Sequence, residues 1–364
     1  MPDQEELVLT GPVGARTSFN NREYLYFGGT NYLGYANRSE LQQGAVEAVR
    51  KYGTSFSASR ETSGTGLLHL ELERRLAQFK RSEDACIYAS GYIGNQILLS
   101  VLARPEDVVI CDEWAHPSIL EAIPHSVRKV RFYAHHDIEE LRKVLTGLDR
   151  AIIAVNGVET GTGEIAPLEE ILEVLPAGEF RVLVDDCHAT GVLGENGRGT
   201  PEHYGIISHK IYQTETMSKA LGSFGGFIAG TKELCDRIRK MATTYIGSTP
   251  LPPAVLGASL AAVNLAMREP HLRQTLRENA KYAVTKLADL GFEAVFRGTP
   301  IIFISNLDES SAKGLHLRLR KAGIIVPFVH YPTVDSPGRL RLVVTATHTR
   351  DDIDRLCDAS QRYG

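Results

Sequence analysis

A chain of 364 residues, 43% hydrophobic and 23% charged, has an ordinary soluble composition with room for one large and one smaller domain. A formal net charge of -4 and the lack of any lysine/arginine block exclude the electrostatic footprint of a nucleic-acid binder. The five cysteines (Cys86, Cys111, Cys187, Cys235, Cys357) lie at irregular spacing without a C-x-x-C pair, which excludes a disulfide framework or zinc knuckle and reads as free thiols of a cytoplasmic protein.

The amino terminus, "MPDQEELV", is acidic and lacks the basic-then-apolar layout of a signal peptide. The first forty residues carry no long periodic segment and are expected to pack on the smaller domain. The stripe Leu68, Leu72, Leu76 and Phe79 predicts a core-facing helix. From there short apolar runs alternate with amphipathic stretches. "ACIYAS" (85–90) predicts a strand and "GNQILLSVLA" (94–103) a helix. "VVIC" (108–111) follows as a strand, then a helix from Pro117 and the strand "KVRFYA" (129–134). A helix from Asp137, the strand "AIIAV" (151–155), a helix near Pro167 and the strands "RVLV" (181–184) and "KIYQTET" (210–216) complete the pattern. Unbroken Val/Ile/Leu runs separated by helices indicate an α/β fold with a mainly parallel sheet buried on both faces. Ligands of such sheets sit outside the carboxyl ends of the strands. After "IGSTPLPP" (246–253) comes "AVLGASLAAVNLAM" (Ala254–Met267), too short and too rich in small residues to span a bilayer. Beyond it, "IIFISNL" and "RLRLVVTATH" flank the helical "SAKGLHLRLRKAG" and predict a smaller α+β domain. The expected division is an amino-terminal segment 1–40, a large domain 41–248 and a small domain 249–364.

Several sharp chemistries are absent from the sequence. "GTGLLH" (64–69) is not a dinucleotide fingerprint, and no P-loop, nucleophile elbow or H-E-x-x-H motif occurs. The adjacent His135–His136 reads as a solvated loop, and no metal is expected. More informative is "FRVLVDDCHATG" (180–191), in which an apolar strand runs straight into Asp185 and Asp186. Two carboxylates at the mouth of a buried strand are costly unless something cationic or protonated meets them. They are either turn-forming aspartates or a partner for a protonated heterocycle, with His188 beside it. Lys219 follows in "TETMSKALGSFGG" (214–226), again after a strand. A lysine in a confined, weakly solvated place is disfavoured as an ammonium, which frees its amine for Schiff-base chemistry. Gly222, Gly225 and Gly226 would allow close backbone approach or positive φ. Lysine on an aldehyde and aspartate on a pyridinium nitrogen is the division of labour of a pyridoxal phosphate enzyme.

With these residues in place, the sequence resembles the α-oxoamine synthases, pyridoxal 5'-phosphate-dependent enzymes of the aspartate aminotransferase-like fold type I. Beside the two stretches above, the resemblance rests on "TNYLGYA", "SGYIGNQ", "HPSILEA", "GVETGTGEIAPL", "GSTPLPP" and "RLRLVVTATHT", in that order along the chain. The resemblance implies that Lys219 holds the cofactor aldehyde and later transfers a proton, and that Asp185 pairs with the ring nitrogen. It implies His188 near the ring hydroxyl, His116 stacked on the ring, and Gly91 and Tyr92 N–H groups with Thr216 on the phosphate. Thr160 keeps a hydroxyl where serine is usual, and Ser248 and Thr249 of a neighbouring subunit complete the cradle, so that a homodimer with shared sites is expected. Arg341 would clamp the amino acid carboxylate, with Asn31 nearby. Because Arg339 and Arg341 alternate with leucines they leave a strand on one face, and Arg339 reads as a solvated charge.

Four features depart from the family pattern. The chain reaches "REYLYFGGTNYLG" by Arg22, without the longer basic amino-terminal helix; "AHPS" puts Ala115 where asparagine is usual; "ETGTGE" puts Glu159 where an aromatic is usual; and "VHYPTV" (329–334) follows the aminolevulinate and ketobutyrate members. None touches the lysine, aspartate or histidine core. The implied activity is condensation of a small α-amino acid with an acyl-CoA or acyl-carrier thioester, with loss of CO2. An aminotransferase or related amine-modifying enzyme is the alternative.

Overall fold

The computed structural model describes residues 6–123, 127, 129–330 and 338–361. Chain contacts divide the molecule into two units. One holds the described residues of Met1–Arg38, Thr160–Gly163 and His271–Gly364, and the other holds Ser39–Glu159 and Glu164–Pro270.

The smaller unit begins with a hairpin, β1 (Arg16–Phe19) and β2 (Arg22–Tyr26). Its turn residues Asn20 and Asn21 both have positive φ (51° and 61°), the left-handed pair that a two-residue hairpin turn requires. Sequence periodicity gives no sign of it, because each strand is too short for alternation to stand out.

The larger unit is built on seven strands: β3 (Asp84–Tyr88), β4 (Val108–Asp112), β5 (Lys129–Tyr133), β6 (Arg150–Asn156), β7 (Glu179–Asp185), β8 (Ile211–Thr216) and β9 (Gly226–Gly230). Their order is β3-β9-β8-β7-β6-β4-β5, all parallel except β9, which runs antiparallel to both its neighbours. The mainly parallel α/β sheet expected from the apolar runs is present. Val109, Ile152, Leu183 and Ile228 belong to one apolar layer, and Ile110, Ile153, Val182 and Val184 to another. Alternate residues of one strand thus feed both layers, as a sheet covered on both faces demands. The register sets Asn156 beside Asp185 and Asp185 beside Thr214 at the carboxyl ends of β6, β7 and β8. In the helix Leu67–Lys80, Leu72, Leu76 and Phe79 of the expected stripe are buried, whereas Leu68 in the first turn is only half-buried.

The helix Pro253–Arg268 clusters with this larger unit, although the sequence suggested a boundary at 249. It packs along the helix Ser39–Tyr52. A Cβ on Gly257 would lie 2.1 Å from the Gly44 carbonyl, so two glycines let the backbones touch. No described helix is long and apolar enough to cross a membrane.

The rest of the smaller unit comprises the helices His271–Asp289, Glu309–Lys321 and Arg350–Ser360 and five two-residue strands. These are β10 (Ile301–Ile302), β11 (Ile324–Ile325), β12 (Phe328–Val329), β13 (Arg339–Leu340) and β14 (Leu342–Val343). β11 joins β2 in parallel, β10 pairs with β14, and β12 with β13. The longer strands expected from "IIFISNL" and "RLRLVVTATH" are therefore short pieces. Of "VHYPTV", residues 331–334 lie outside the described residues.

Candidate active site

In the larger unit the residues singled out by sequence converge on the carboxyl ends of β6, β7 and β8. The two aspartates at the carboxyl end of β7, Asp185 its last residue and Asp186 the next, part company there. Asp185 accepts from Asn95 Nδ2 (2.7 Å) through Oδ2 and from the Cys187 N–H (3.1 Å) through Oδ1. Asp186 is fully buried and accepts from the Thr200 N–H (2.9 Å) and hydroxyl (2.5 Å) and from Gln213. Burial pushes the Asp186 carboxyl up, against the opposing pull of Lys80 and its donors. Only Asp185 faces the cluster discussed below. His188 is buried in the turn that follows.

Lys219 lies in the loop between β8 and β9, half-buried, and among the described residues its Nζ makes no hydrogen bond or ion pair. The loop is closed by Met217 N–H to the Gly225 carbonyl (2.9 Å) and by Ser223 N–H to the Met217 carbonyl (2.9 Å). Gly222 and Gly225 take φ of 63° and 96°, which side-chain-bearing residues avoid. Thr216 is buried, and its hydroxyl donates to the Gly225 carbonyl (2.9 Å) while accepting from the Ser218 N–H (3.1 Å). A Cβ on Gly91 would meet Thr216 Oγ1 at 2.9 Å, so the turn after β3 lies directly against Thr216. That turn leads through residues 91–93 into the helix Gly94–Leu102, whose amino end suits an anion. Ser90 caps it by accepting from the Tyr92 N–H (3.3 Å), so that donor is partly engaged within its own turn.

His116 caps the short helix Pro117–Leu120. Its Nδ1 accepts from the Ser118 N–H (3.2 Å) and lies 2.7 Å from Ser118 Oγ, which leaves the neutral ring's proton on Nε2. Burial lowers its pKa; Asp185, Glu159 and Glu121 pull upward and Lys219 pushes down. The Tyr92 ring meets it edge-on at 6.0 Å. Ala115, in the place where asparagine is usual, is fully buried; the His116 N–H donates to Asn156 Oδ1 (3.0 Å), whose amide also donates to the Trp114 carbonyl (2.9 Å).

Three residues that the sequence reading passed over stand behind these groups: Asn95, Ser118 and Thr214. Asn95 was inside the quoted "SGYIGNQ". An asparagine in the apolar helix start "GNQILL" is itself a signal, since a buried amide must find partners.

Ser248 donates to the Thr244 carbonyl and Thr249 is exposed, and among the described residues neither hydrogen-bonds a member of this cluster. In the smaller unit, Arg341 donates from Nε to the Thr160 carbonyl (2.9 Å) and from Nη1 to the Gly29 carbonyl (3.2 Å). Tyr32, its phenol raised by burial, also hydrogen-bonds that guanidinium. Arg339 lies over the Phe303 ring at 4.9 Å. Asn31 is buried, bridging the Val13 carbonyl (3.2 Å) and the Ala36 N–H (3.1 Å) within its own loop.

Asp112, His135 and His136 bring three donor atoms within 4.8 Å of one another. The two imidazoles stack at 3.7 Å with planes only 26° apart. Imidazole lone pairs lie in the ring plane, and two nearly parallel planes do not meet at an ion about 2 Å from each nitrogen. The cluster is better described as a stack: His135 also lies on Trp114 (4.0 Å) and bonds Asp112 through Nδ1 (2.9 Å).

The chain matches the aminotransferase class I and II family over residues 25–359. It is 36% identical to the 8-amino-7-oxononanoate synthase of Thermoanaerobacter pseudethanolicus, over 98% of this chain and 92% of that protein. The chain belongs to the α-oxoamine synthases. Among solved structures, the serine palmitoyltransferase of Sphingomonas wittichii superposes with a TM-score of 0.92 at 25% identity, covering 98% of this chain and 91% of that one. A serine palmitoyltransferase structure described as holding a PLP internal aldimine superposes with a TM-score of 0.90 at 26% identity, covering 99% and 91%. This α-oxoamine synthase is accordingly a pyridoxal phosphate-dependent transferase that condenses an amino acid with an acyl thioester. The donor set fits that cofactor. It offers an uncommitted half-buried amine for an aldehyde, an acceptor-only carboxylate for a protonated ring nitrogen, and a helix amino end against a buried threonine for a phosphate.

Proposed function

We propose that this α-oxoamine synthase joins a small α-amino acid to an acyl-CoA or acyl-carrier thioester with loss of CO2, working in the cytoplasm as a homodimer. The observation that carries the reading is Lys219: a half-buried amine without hydrogen bond or ion pair among the described residues, in the cluster that holds Asp185 and His116.

Pyridoxal phosphate, when bound, supplies the electron sink that makes the amino acid's α-proton removable and the carboxylate's departure possible. Lys219 Nζ would hold the cofactor covalently and, once released, carry the α-proton. Asp185, acceptor-only when ionised, would keep a proton on the ring nitrogen. His116 and His188 would position the ring, and Gly91, Tyr92 and Thr216 would receive the phosphate. Ser248 and Thr249 would serve the second copy's phosphate. Thr160 would give its hydroxyl to the cofactor, Asn31 would border the substrate, and Arg341 would take its carboxylate through donors suited to a planar anion.

The test is a titration of holoenzyme with alanine, glycine and serine, followed by thiol release from an acyl-CoA. A spectral change with one amino acid, and thiol release that depends on it, supports the reading. A keto acid with pyridoxamine phosphate, or no spectral change with any amino acid, would overturn it.

A further inference from the structure

Asp185 and His116 reach the site from different elements, one at the end of β7 and the other at the amino end of the helix Pro117–Leu120. One buried amide joins them. Asn95, fully buried in the helix Gly94–Leu102, donates from Nδ2 to Asp185 Oδ2 (2.7 Å) and to Ser118 Oγ (3.0 Å). Ser118 in turn holds His116 Nδ1 through its hydroxyl (2.7 Å) and its N–H (3.2 Å). The Thr214 hydroxyl donates to Asn95 Oδ1 (2.7 Å). An ionised carboxylate only accepts, so the Asp185 contact itself dictates which end of the amide is nitrogen. Both N–H groups and the carbonyl are then satisfied, and the amide has no second orientation.

From this geometry we propose that Asn95 is a positioning residue that sets Asp185 and His116 together. Its two donors fix the carboxylate that meets the ring nitrogen and, through Ser118, the imidazole that lies on the ring. This rests on the cofactor-site reading above and adds to it a single buried group on which both contacts depend. An apolar residue at position 95 would keep the helix. What it could not do is donate twice, and Asp185 Oδ2 and Ser118 Oγ would be left buried without that donor.

The experiment compares the parent holoenzyme with Asn95→Ala, Asn95→Asp and Thr214→Val. Each is stripped of cofactor and titrated with pyridoxal phosphate, and the cofactor's visible band is then followed against pH. Asn95→Ala is expected to raise the Kd for cofactor roughly ten- to a hundredfold, the usual cost of a lost hydrogen bond to a charged group. Asn95→Asp keeps the shape and the Thr214 bond but sets a second carboxylate against Asp185. Its Kd should rise more steeply with pH than the parent's, since only a protonated Asp at 95 can still donate. The other titratable groups around Asp185 are His116, Cys187, Tyr88 and Lys219, with Glu159 and Glu215 acting on the same groups, and all are unchanged across the series. Thr214→Val disturbs the same amide but leaves both donors, and should shift Kd by less than about threefold. Parent-like Kd and pH profile in both Asn95 variants would overturn the proposal while leaving the cofactor reading intact. Should Asn95→Ala fail to fold, the contrast between Asn95→Asp and Thr214→Val decides alone. A parent chain that takes up no cofactor would overturn both readings.

Discussion

The surroundings of Asp185 and those of Arg341 hold a polar group still with different balances of side chain and main chain, Arg341 having the Tyr32 phenol beside two backbone carbonyls. Asp185 is held partly by side chains: an asparagine, itself held by a threonine, that also reaches a serine and through it a histidine. Arg341 donates to two main-chain carbonyls, Gly29 and Thr160, that are distant in sequence. A side-chain network depends on the identity of every member, whereas a carbonyl is supplied by any residue. The difference explains where this chain can depart from its family. The altered "ETGTGE" segment includes Thr160, yet what Thr160 gives Arg341 is backbone, so the substitution there leaves the contact in place.

The contrast can be broken most severely at Lys219. Lys219→Ala should lower turnover by roughly a thousandfold or more, since a covalent group has no substitute. Borohydride treatment should then fail to fix cofactor to the protein; retained covalent labelling would assign the chemistry to another lysine. Next comes Arg341. Arg341→Ala should raise KM for the amino acid roughly ten- to a hundredfold with a smaller change in kcat, as expected for a lost charged contact. Thr160→Ala sharpens the comparison, because the carbonyl to Arg341 survives and only the hydroxyl is lost: KM for the amino acid should move less than in Arg341→Ala.

pH separates the two units further. In the smaller unit His348 is buried, with Nδ1 accepting from the Thr345 N–H (2.9 Å) and Nε2 set against the Tyr26 carbonyl (3.2 Å). Burial lowers its pKa to about 4. Its stabilising contribution is therefore complete above the unfolded value of 6.5 and is lost as pH falls through about 4, roughly 3 kcal/mol at most. His348→Gln should flatten that acid limb in thermal melts; an unchanged limb would discount the histidine. The larger unit carries an effect of similar size and opposite sign. Glu215 is fully buried against Lys80, and burial pushes its carboxyl up to about 7. Its contribution is complete below 4.5 and is lost as pH rises through about 7. Glu215→Gln should make the melting temperature less dependent on pH across that window, and an equal slope in both proteins would refute it.

How much of this was legible in the sequence follows the same divide. Strands β4, β6 and β7 announced themselves because both faces are buried and the runs "VVIC", "AIIAV" and "RVLV" are unbroken. The β1–β2 hairpin and the two-residue strands were hidden, since a strand of two residues has no period. The helix Pro253–Arg268 reads equally well on either side of a boundary, and only its packing on Ser39–Tyr52 assigns it. In the site, Lys219 and Asp185 stand out because each follows a strand in an unusual local context. Asn95 does not, because its value lies in partners 23, 90 and 119 residues away. No window of sequence contains them together.

The antiparallel β9 has a consequence for how the chain is made. β3 pairs with β9 alone, joining Asp84 to Gly230, so the edge of the sheet stays open until the ribosome has delivered residue 230. Such a distant pairing is slow to form and leaves an exposed strand for other chains to seize. The Lys219 loop immediately precedes the strand that closes the sheet. A nascent chain that stops short of it would have the makings of the centre and an edge primed for aggregation, so the last step of sheet assembly is also the step that builds the lysine's loop.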